Sequence, residues 1–383
     1  MQSLAYLEKL IGFPTVSRTS NLELIEWVRA TLAAHGIAAT LVHDPSGTRA
    51  NLYASVGPED VPGVLLSGHT DVVPAEGQQW TVPAFEMTQR DGKVYGRGSA
   101  DMKGFVACAL AAMVQAAGQD LARPLQLALS YDEEIGCVGV RRLLDVLEIA
   151  PVKPMLCVVG EPTLMQVATG HKGKMALHAV CHGVEGHSAL APKALNALHL
   201  ACDFVSSLRQ AQARLAETGA RDPGYDVPYS TIHVGRMEGG KALNIVPNQC
   251  TLDFEIRHLA ADDPDALLDG LREDAGRIAD EARRRFPQAG IDIDTVNAYP
   301  GLDTHPASDA VAFIESLLPP GGERVKVAFG TEGGLFTRRL DVPVVVCGPG
   351  SIGDAHRSDE FVALAQLQAC DAFMGRLLAA LRR

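Results

Sequence analysis

Near the start of the chain, the apolar residues Leu4, Leu7, Leu10 and Ile11 recur at helical spacing and predict an N-terminal helix with one buried face. Ser20 and Glu23 stand three apart, as in a capping box, and predict a second helix ending near Gly36. Short β-rich runs follow at 37–43, 50–56 and 62–67. The pattern continues with "VYGRG" (94–98), an Ala-rich helix from about Met102 to Ala117, an apolar strand at 124–131, a helix near 138–148 and the strand "MLCVVG" at 155–160. Such alternation predicts an α/β fold with a mixed, mostly parallel sheet flanked by helices.

From about Lys174 the rhythm changes. The alternating run "KMALHAVCHGV" precedes a long helix at about 192–216, then "STIHVGRMEGG", "NQCTLDFEIRHL" and a helix near 263–285. Two β-α-β units in succession predict a smaller α/β sandwich over 175–292, inserted into a domain made of 1–174 and 293–383. The α/β pattern then resumes with a helix at about Ser308 to Leu317, "VKVAFGTEGG", the strand "VPVVVCG" and a closing helix from about Val362. The Pro- and Gly-rich stretch 218–228 reads as an exposed loop.

Length and composition agree with two globular domains: 383 residues, 47% apolar and 21% charged. A formal net charge of −12 with scattered Lys and Arg leaves no basic stripe for phosphates, so nucleic acid is not an expected partner. The eight cysteines form no CxxC pair and sit mostly in apolar runs, as reduced buried thiols of a cytoplasmic protein do. The N-terminus lacks a basic start followed by an apolar core, and no apolar run approaches the roughly 20 residues that cross a bilayer, so no membrane association is expected.

Candidate chemistry gathers where predicted strands end, which is where open α/β sheets build their sites. "LLSGHTDVVP" carries His69 and Asp71, two apart and therefore able to point the same way, with the Asp orienting the His. "GRGSADMKG" carries Asp101, "SYDEEIG" carries Asp132, Glu133 and Glu134, and "VVGEP" carries Glu161. Taken singly, each has a plain reading: Asp101 as a helix N-cap, Glu161 as a turn residue before Pro, the Glu pair as solvated surface, His69 as hydrogen-bonded structure. Converging on one patch, they would repel one another unless divalent cations compensated. A mixed His and carboxylate set suits Zn²⁺, Co²⁺ or Mn²⁺ better than Mg²⁺. "GPGSIGDAHRSDEF" adds His356 after the strand "VPVVVC".

Together "GHTDVVP", "GRGSADMKG", "DEEIG", "GEPT" and "AHRSDEF" resemble the dinuclear metal-dependent amidohydrolases that include acetylornithine deacetylase, succinyl-diaminopimelate desuccinylase, carboxypeptidase G and the aminoacylases. The resemblance spans nearly the whole chain. It implies two divalent metal ions, Zn²⁺ first and Co²⁺ as an alternative, with His69 and Glu161 on one, Glu134 and His356 on the other, and Asp101 bridging. It further implies Asp71 as the residue orienting His69, and Glu133 as the general base that activates a water held between the metals. The inserted domain is similar to the family's lid and dimerisation domain, which implies a homodimer. There His187 would reach the partner subunit's site to hydrogen-bond the oxyanion, and Asn244 and Arg257 would contact the carboxylate of an N-acyl amino acid.

The flanks "ATGHKG", "GTEGGLF" and "GPGSIGDAHRSDEFV" look most like the acetylornithine deacetylase branch. That likeness implies Glu332 as the acceptor of the ornithine ammonium, with Thr331, Gly333 and Gly334 leaving room for the ligand. A desuccinylase, the competing member, must instead accept a second anion, which an added acid would repel. "GPGSIG" (348–353) also fits the glycine spacing of a dinucleotide loop, but Pro follows its first Gly and charged residues stand where the helix should start. A catalytically dead relative that only binds is a further alternative, and the full set of motif residues argues against it.

Overall fold

A computed structural model describes residues 1–382. The chain divides into two compact units. One comprises Met1–His171, Leu302–Val327 and Thr331 onward; the other comprises Lys172–Gly301 with Ala328–Gly330. Among the described residues no helix is long and apolar enough to cross a membrane.

The first unit is built on a nine-stranded sheet. Its centre is the parallel set Leu125–Ser130, Val64–His69, Leu156–Pro162 and Val344–Gly348, adjacent in that order. Every residue of these four strands is buried, the run-on apolar pattern that parallel strands covered on both faces require. Antiparallel strands close both sides: Ala50–Val56 and Ala39–His43 on one, Val167–His171 and Leu302–Asp303 on the other. The fold is thus the mixed, mostly parallel α/β sheet that the alternation predicts.

Helix Gly104–Ala116 is apolar almost all round and lies in the core, where Ala and Gly allow close approach. Leu7, Leu10 and Ile11 of helix Gln2–Ile11, together with Leu367, Phe373 and Met374 of helix Leu364–Leu381, belong to the same cluster. Each such side chain contributes roughly 1.5–3 kcal/mol on burial. Gly160 shows how tight the packing is, since a Cβ there would fall 1.9 Å from Cγ of Phe105.

Two local expectations are corrected. The predicted capping box does not form: the second helix is Leu22–Ala33, with Asn21 at its N-cap and no side-chain cap bond. Asn21 instead exchanges hydrogen bonds with both the N–H and the carbonyl of Ala50, each 2.9 Å, and donates to Thr70 Oγ1 at 3.0 Å, so its amide serves the neighbouring strand. The helix expected from Met102 begins at Gly104, because Asp101 and Met102 have non-helical backbone angles. The helix read as Ser308 to Leu317 is observed as Asp309–Ser316, capped by the Ser308 hydroxyl on Val311 N–H.

The second unit holds a four-stranded antiparallel sheet in the order Thr231–Gly239, Gln249–His258, Gly173–His182, Gly290–Tyr299. Strand Gly173–His182 alternates buried and half-buried residues along its length. Its buried face packs with Phe204 and Leu208 of helix Ala197–Thr218 and Leu268 and Leu271 of helix Pro264–Arg283. The position 292/293, read from the sequence as the return to the first domain, falls inside Gly290–Tyr299. That strand pairs with Gly173–His182 from Gly290 to Tyr299, and Ile291 and Ile293 pack on the helical core of this unit.

Candidate metal centre

Strand Val64–His69 ends at His69, Leu125–Ser130 leads into Glu133 and Glu134, and Leu156–Pro162 carries Glu161. Because these neighbours are parallel, their C-terminal ends open on one side of the sheet, and the turns after them converge there. His69 Nε2 lies 3.0 Å from Asp101 Oδ1 and 3.7 Å from Glu161 Oε1. His356 Nε2 lies 3.1 Å from Asp101 Oδ2, and 3.2 and 3.0 Å from Oε1 and Oε2 of Glu134. Asp101 therefore offers one oxygen to each histidine. The five residues that the family resemblance implies as metal ligands meet in one cluster, with His69, Asp101 and Glu161 buried, Glu134 partly buried and the His356 side chain about half exposed.

The histidine hydrogen bonds test whether cations fit. His69 Nδ1 is 2.9 Å from the backbone carbonyl of Asp71, which can only accept, so Nδ1 carries a proton. Nε2 then faces carboxylate oxygens with its lone pair unless it too is protonated or a cation intervenes. The imidazole and carboxylate donors match the ligand preferences of Zn²⁺ and Co²⁺. Donor atoms of His69, Asp101 and Glu134, and separately of His69, Glu133 and Glu161, lie within 4.8 Å of one another. The second grouping places Glu133 as well within reach of a cation held by His69 and Glu161.

The Asp71 carboxylate serves both His69 and the Glu pair. Its Oδ1 is 3.6 Å from His69 Nδ1, while the two oxygens accept the backbone N–H groups of Glu133 at 3.0 Å and Glu134 at 3.3 Å, and the Ser17 hydroxyl at 2.8 Å. The i, i+2 spacing shows the link to His69 but not this one. Asp132, the first of the three consecutive acids, turns away to Arg49 and to the N–H of Arg18.

Electrostatics follow from burial and crowding. Burial pushes the Glu133 carboxyl up to about 8, with His69 opposing and Glu134 reinforcing. Burial and Asp101 push Glu134 up to about 7 against the hydrogen bond from His356. Glu161 is raised well above the usual range, chiefly by burial and Asp101. Burial acts upward on Asp101 as well, but hydrogen bonds to His356 and His69 hold its carboxyl well below the usual value. Bonds to Asp101 and Glu134 lift His356 to about 10. Without cations, the cluster holds protons that cations would displace.

Other predicted residues are placed elsewhere. Thr331, Glu332 and Gly333 are buried at the start of helix Gly333–Leu340, where Thr331 Oγ1 accepts from Gly333 N–H at 2.9 Å. Glu332 is 1% exposed, and both its carboxylate oxygens are engaged, by Ser67 and Ser130. Its carboxylate is thus committed to two hydroxyls within the fold. His187 and Asn244 come together in the second unit: His187 pairs with Ile245, and Ser188 N–H donates to the Asn244 carbonyl at 3.0 Å. Arg257, also in that unit, bonds Glu255 at 3.0 Å and the Tyr299 hydroxyl at 3.5 Å. Bends and turns, not a helix, directly follow Gly348, so "GPGSIG" lacks the context of a dinucleotide loop. Sequence reasoning missed Cys137, whose Sγ lies 3.2 Å from Glu133 Oε1, and Glu360, which accepts the N–H of Asp101 at 3.1 Å. Both stand within or beside the quoted motifs, but their side-chain directions are set by turns with no periodicity.

Known proteins resemble the chain over nearly its full length. An acetylornithine deacetylase of Myxococcus xanthus is 33% identical over 98% of this chain and 96% of its own length. An acetylornithine deacetylase of Proteus mirabilis is 32% identical over 97% of this chain and 94% of its own. The crystal structure of an M20 family metallo-carboxypeptidase from Sulfolobus solfataricus superposes with a TM-score of 0.81 at 19% identity, covering 99% of this chain and 98% of that one. Residues 65–380 match the profile of peptidase family M20/M25/M40, and the chain belongs to that family.

Proposed function

We propose that this metal-dependent amide hydrolase removes the acetyl group of N-acetylornithine, giving ornithine and acetate in the cytoplasm as a step of arginine biosynthesis. The observation that carries the dinuclear part is Asp101, with one carboxylate oxygen toward His69 and the other toward His356. The similarity to acetylornithine deacetylases carries the substrate.

In this reading His69 and Glu161 hold one cation, Glu134 and His356 the other, and Asp101 both. Zn²⁺ or Co²⁺ there would supply Lewis acidity, lowering the pKa of water and polarising the amide carbonyl. Glu133 takes the proton of the attacking water and returns it to the leaving amine. Burial raises its carboxyl, and neighbouring cations would draw it back down, toward the range of a base that works near neutral pH. Asp71 fixes the Glu133 and Glu134 backbone and the ring of His69, so base and ligands share one anchor. His187, Asn244 and Arg257 are assigned to the substrate and oxyanion, with His187 acting across a homodimer.

Purified protein loaded with Zn²⁺ or Co²⁺ and assayed on N-acetylornithine and N-succinyl-diaminopimelate tests the substrate. Faster turnover of the succinyl compound would move the chain to the desuccinylase branch.

A further inference from the structure

Arg97 and Glu360 stand in the segments "GRGSADMKG" and "AHRSDEF" that also carry Asp101 and His356, yet neither is assigned as ligand or base. Both side chains are 1% exposed and paired, Arg97 Nη1 to Glu360 Oε2 at 2.8 Å. The other Glu360 oxygen accepts the N–H groups of Ala100 at 3.0 Å and Asp101 at 3.1 Å. The guanidinium also donates to the carbonyls of Arg357 at 3.2 Å and Pro74 at 3.1 Å and to the side-chain oxygen of Gln78. The Gln78 amide nitrogen in turn donates to the His356 carbonyl at 3.0 Å. One cation thus ties together the loop after His69 and Asp71, the turn into Asp101, and the loop of His356.

A buried ion pair is a poor source of stability, because desolvation offsets most of its attraction. What a guanidinium adds is a rigid fork that fixes several acceptors at once. Both metal-site residues need that. His356 has a left-handed φ of 60° and a side chain 48% exposed, so packing around its ring does not hold it. Asp101 has extended angles, φ −121° and ψ 94°, but belongs to no strand, so no sheet ladder holds it either.

We propose that Arg97 and Glu360, extended through Gln78, form a strut that sets the placement of Asp101 relative to His356 and thereby the affinity for metal. They are positioning residues, and the proposal rests on the two-cation reading above. The test titrates metal-stripped wild type, Arg97→Lys and Gln78→Ala with Co²⁺ by calorimetry, records the visible absorption of the bound Co²⁺, and follows thermal melting in chelator. Lysine can meet Glu360 but cannot fork to the other acceptors, and Gln78→Ala removes the link from the guanidinium to the His356 carbonyl while leaving the Arg97–Glu360 pair. Both variants are expected to bind about 10- to 100-fold more weakly with shifted absorption bands, while Gln78→Ala in chelator melts as wild type does. Wild-type affinity and bands in both variants, even with a lowered melt for Arg97→Lys, would overturn the strut. If Arg97→Lys does not fold, Gln78→Ala decides alone. Absence of Co²⁺ binding to the wild type would instead overturn the two-cation reading, and the strut's role with it.

Discussion

His69 turns Nε2 to Asp101 Oδ1 at 3.0 Å while its Nδ1 is committed to the carbonyl of Asp71. A histidine so held has one nitrogen left for a cation, and Asp101 has a second oxygen left for another. Asp101→Asn keeps the size and removes the charge that both positions share. The variant is expected to retain at most one tightly bound metal, read by elemental analysis after dialysis. Full wild-type occupancy would show that Asp101 does not bridge.

Glu133→Gln separates base from ligand. A general base contributes about 10²- to 10⁴-fold, so turnover should fall by that factor with metal content nearly unchanged. Because Glu133 donor atoms also lie near His69 and Glu161, loss of metal in this variant would reassign Glu133 as a ligand.

Glu332 predicts a pH effect. Burial lifts its carboxyl from 4.5 to about 7, against the hydroxyls of Ser130 and Ser67. A raised folded-state value means that the neutral form is favoured, so its stabilising contribution is complete below pH 4.5 and is lost as pH rises through about 7. Relative to pH 4.5, this loss costs the metal-stripped protein up to about 3 kcal/mol by pH 8. Glu332→Gln should remove that part of the slope in urea unfolding measured in chelator at pH 5 and pH 8. Equal slopes in both proteins would contradict this.

Asn21 and Gly160 carry structural predictions. Asn21→Ala leaves the buried N–H and carbonyl of Ala50 without these partners and should cost about 1–3 kcal/mol, whereas Ser20→Ala should cost much less. Gly160→Ala, pressing on Phe105, should cost about 1–3 kcal/mol by overpacking. Chemical unfolding of the three variants checks both points. A Ser20→Ala cost equal to that of Asn21→Ala would restore the capping box.

The central strands were legible because parallel strands buried on both faces read as continuous apolar runs, and the clusters at their ends were legible because each follows such a run. Convergence of His69, Asp101, Glu134, Glu161 and His356 could be read from motif order only through resemblance to a family. What stayed hidden depends on side-chain direction in irregular turns. The Ser20–Glu23 spacing predicts a cap, whereas Asn21 stands at the N-cap and its amide serves a strand, the Glu332 carboxylate is held by two serines, and the Asp71 carboxylate reaches the Glu pair more than 60 residues on. None of these directions follows from a period of 2 or 3.6.

The most direct measurement strips the protein of metal and titrates it with Co²⁺ while following turnover of N-acetylornithine. The account predicts two equivalents bound, negligible turnover in chelator and activity that rises with metal added. Undiminished turnover in chelator, or no Co²⁺ binding, would contradict it.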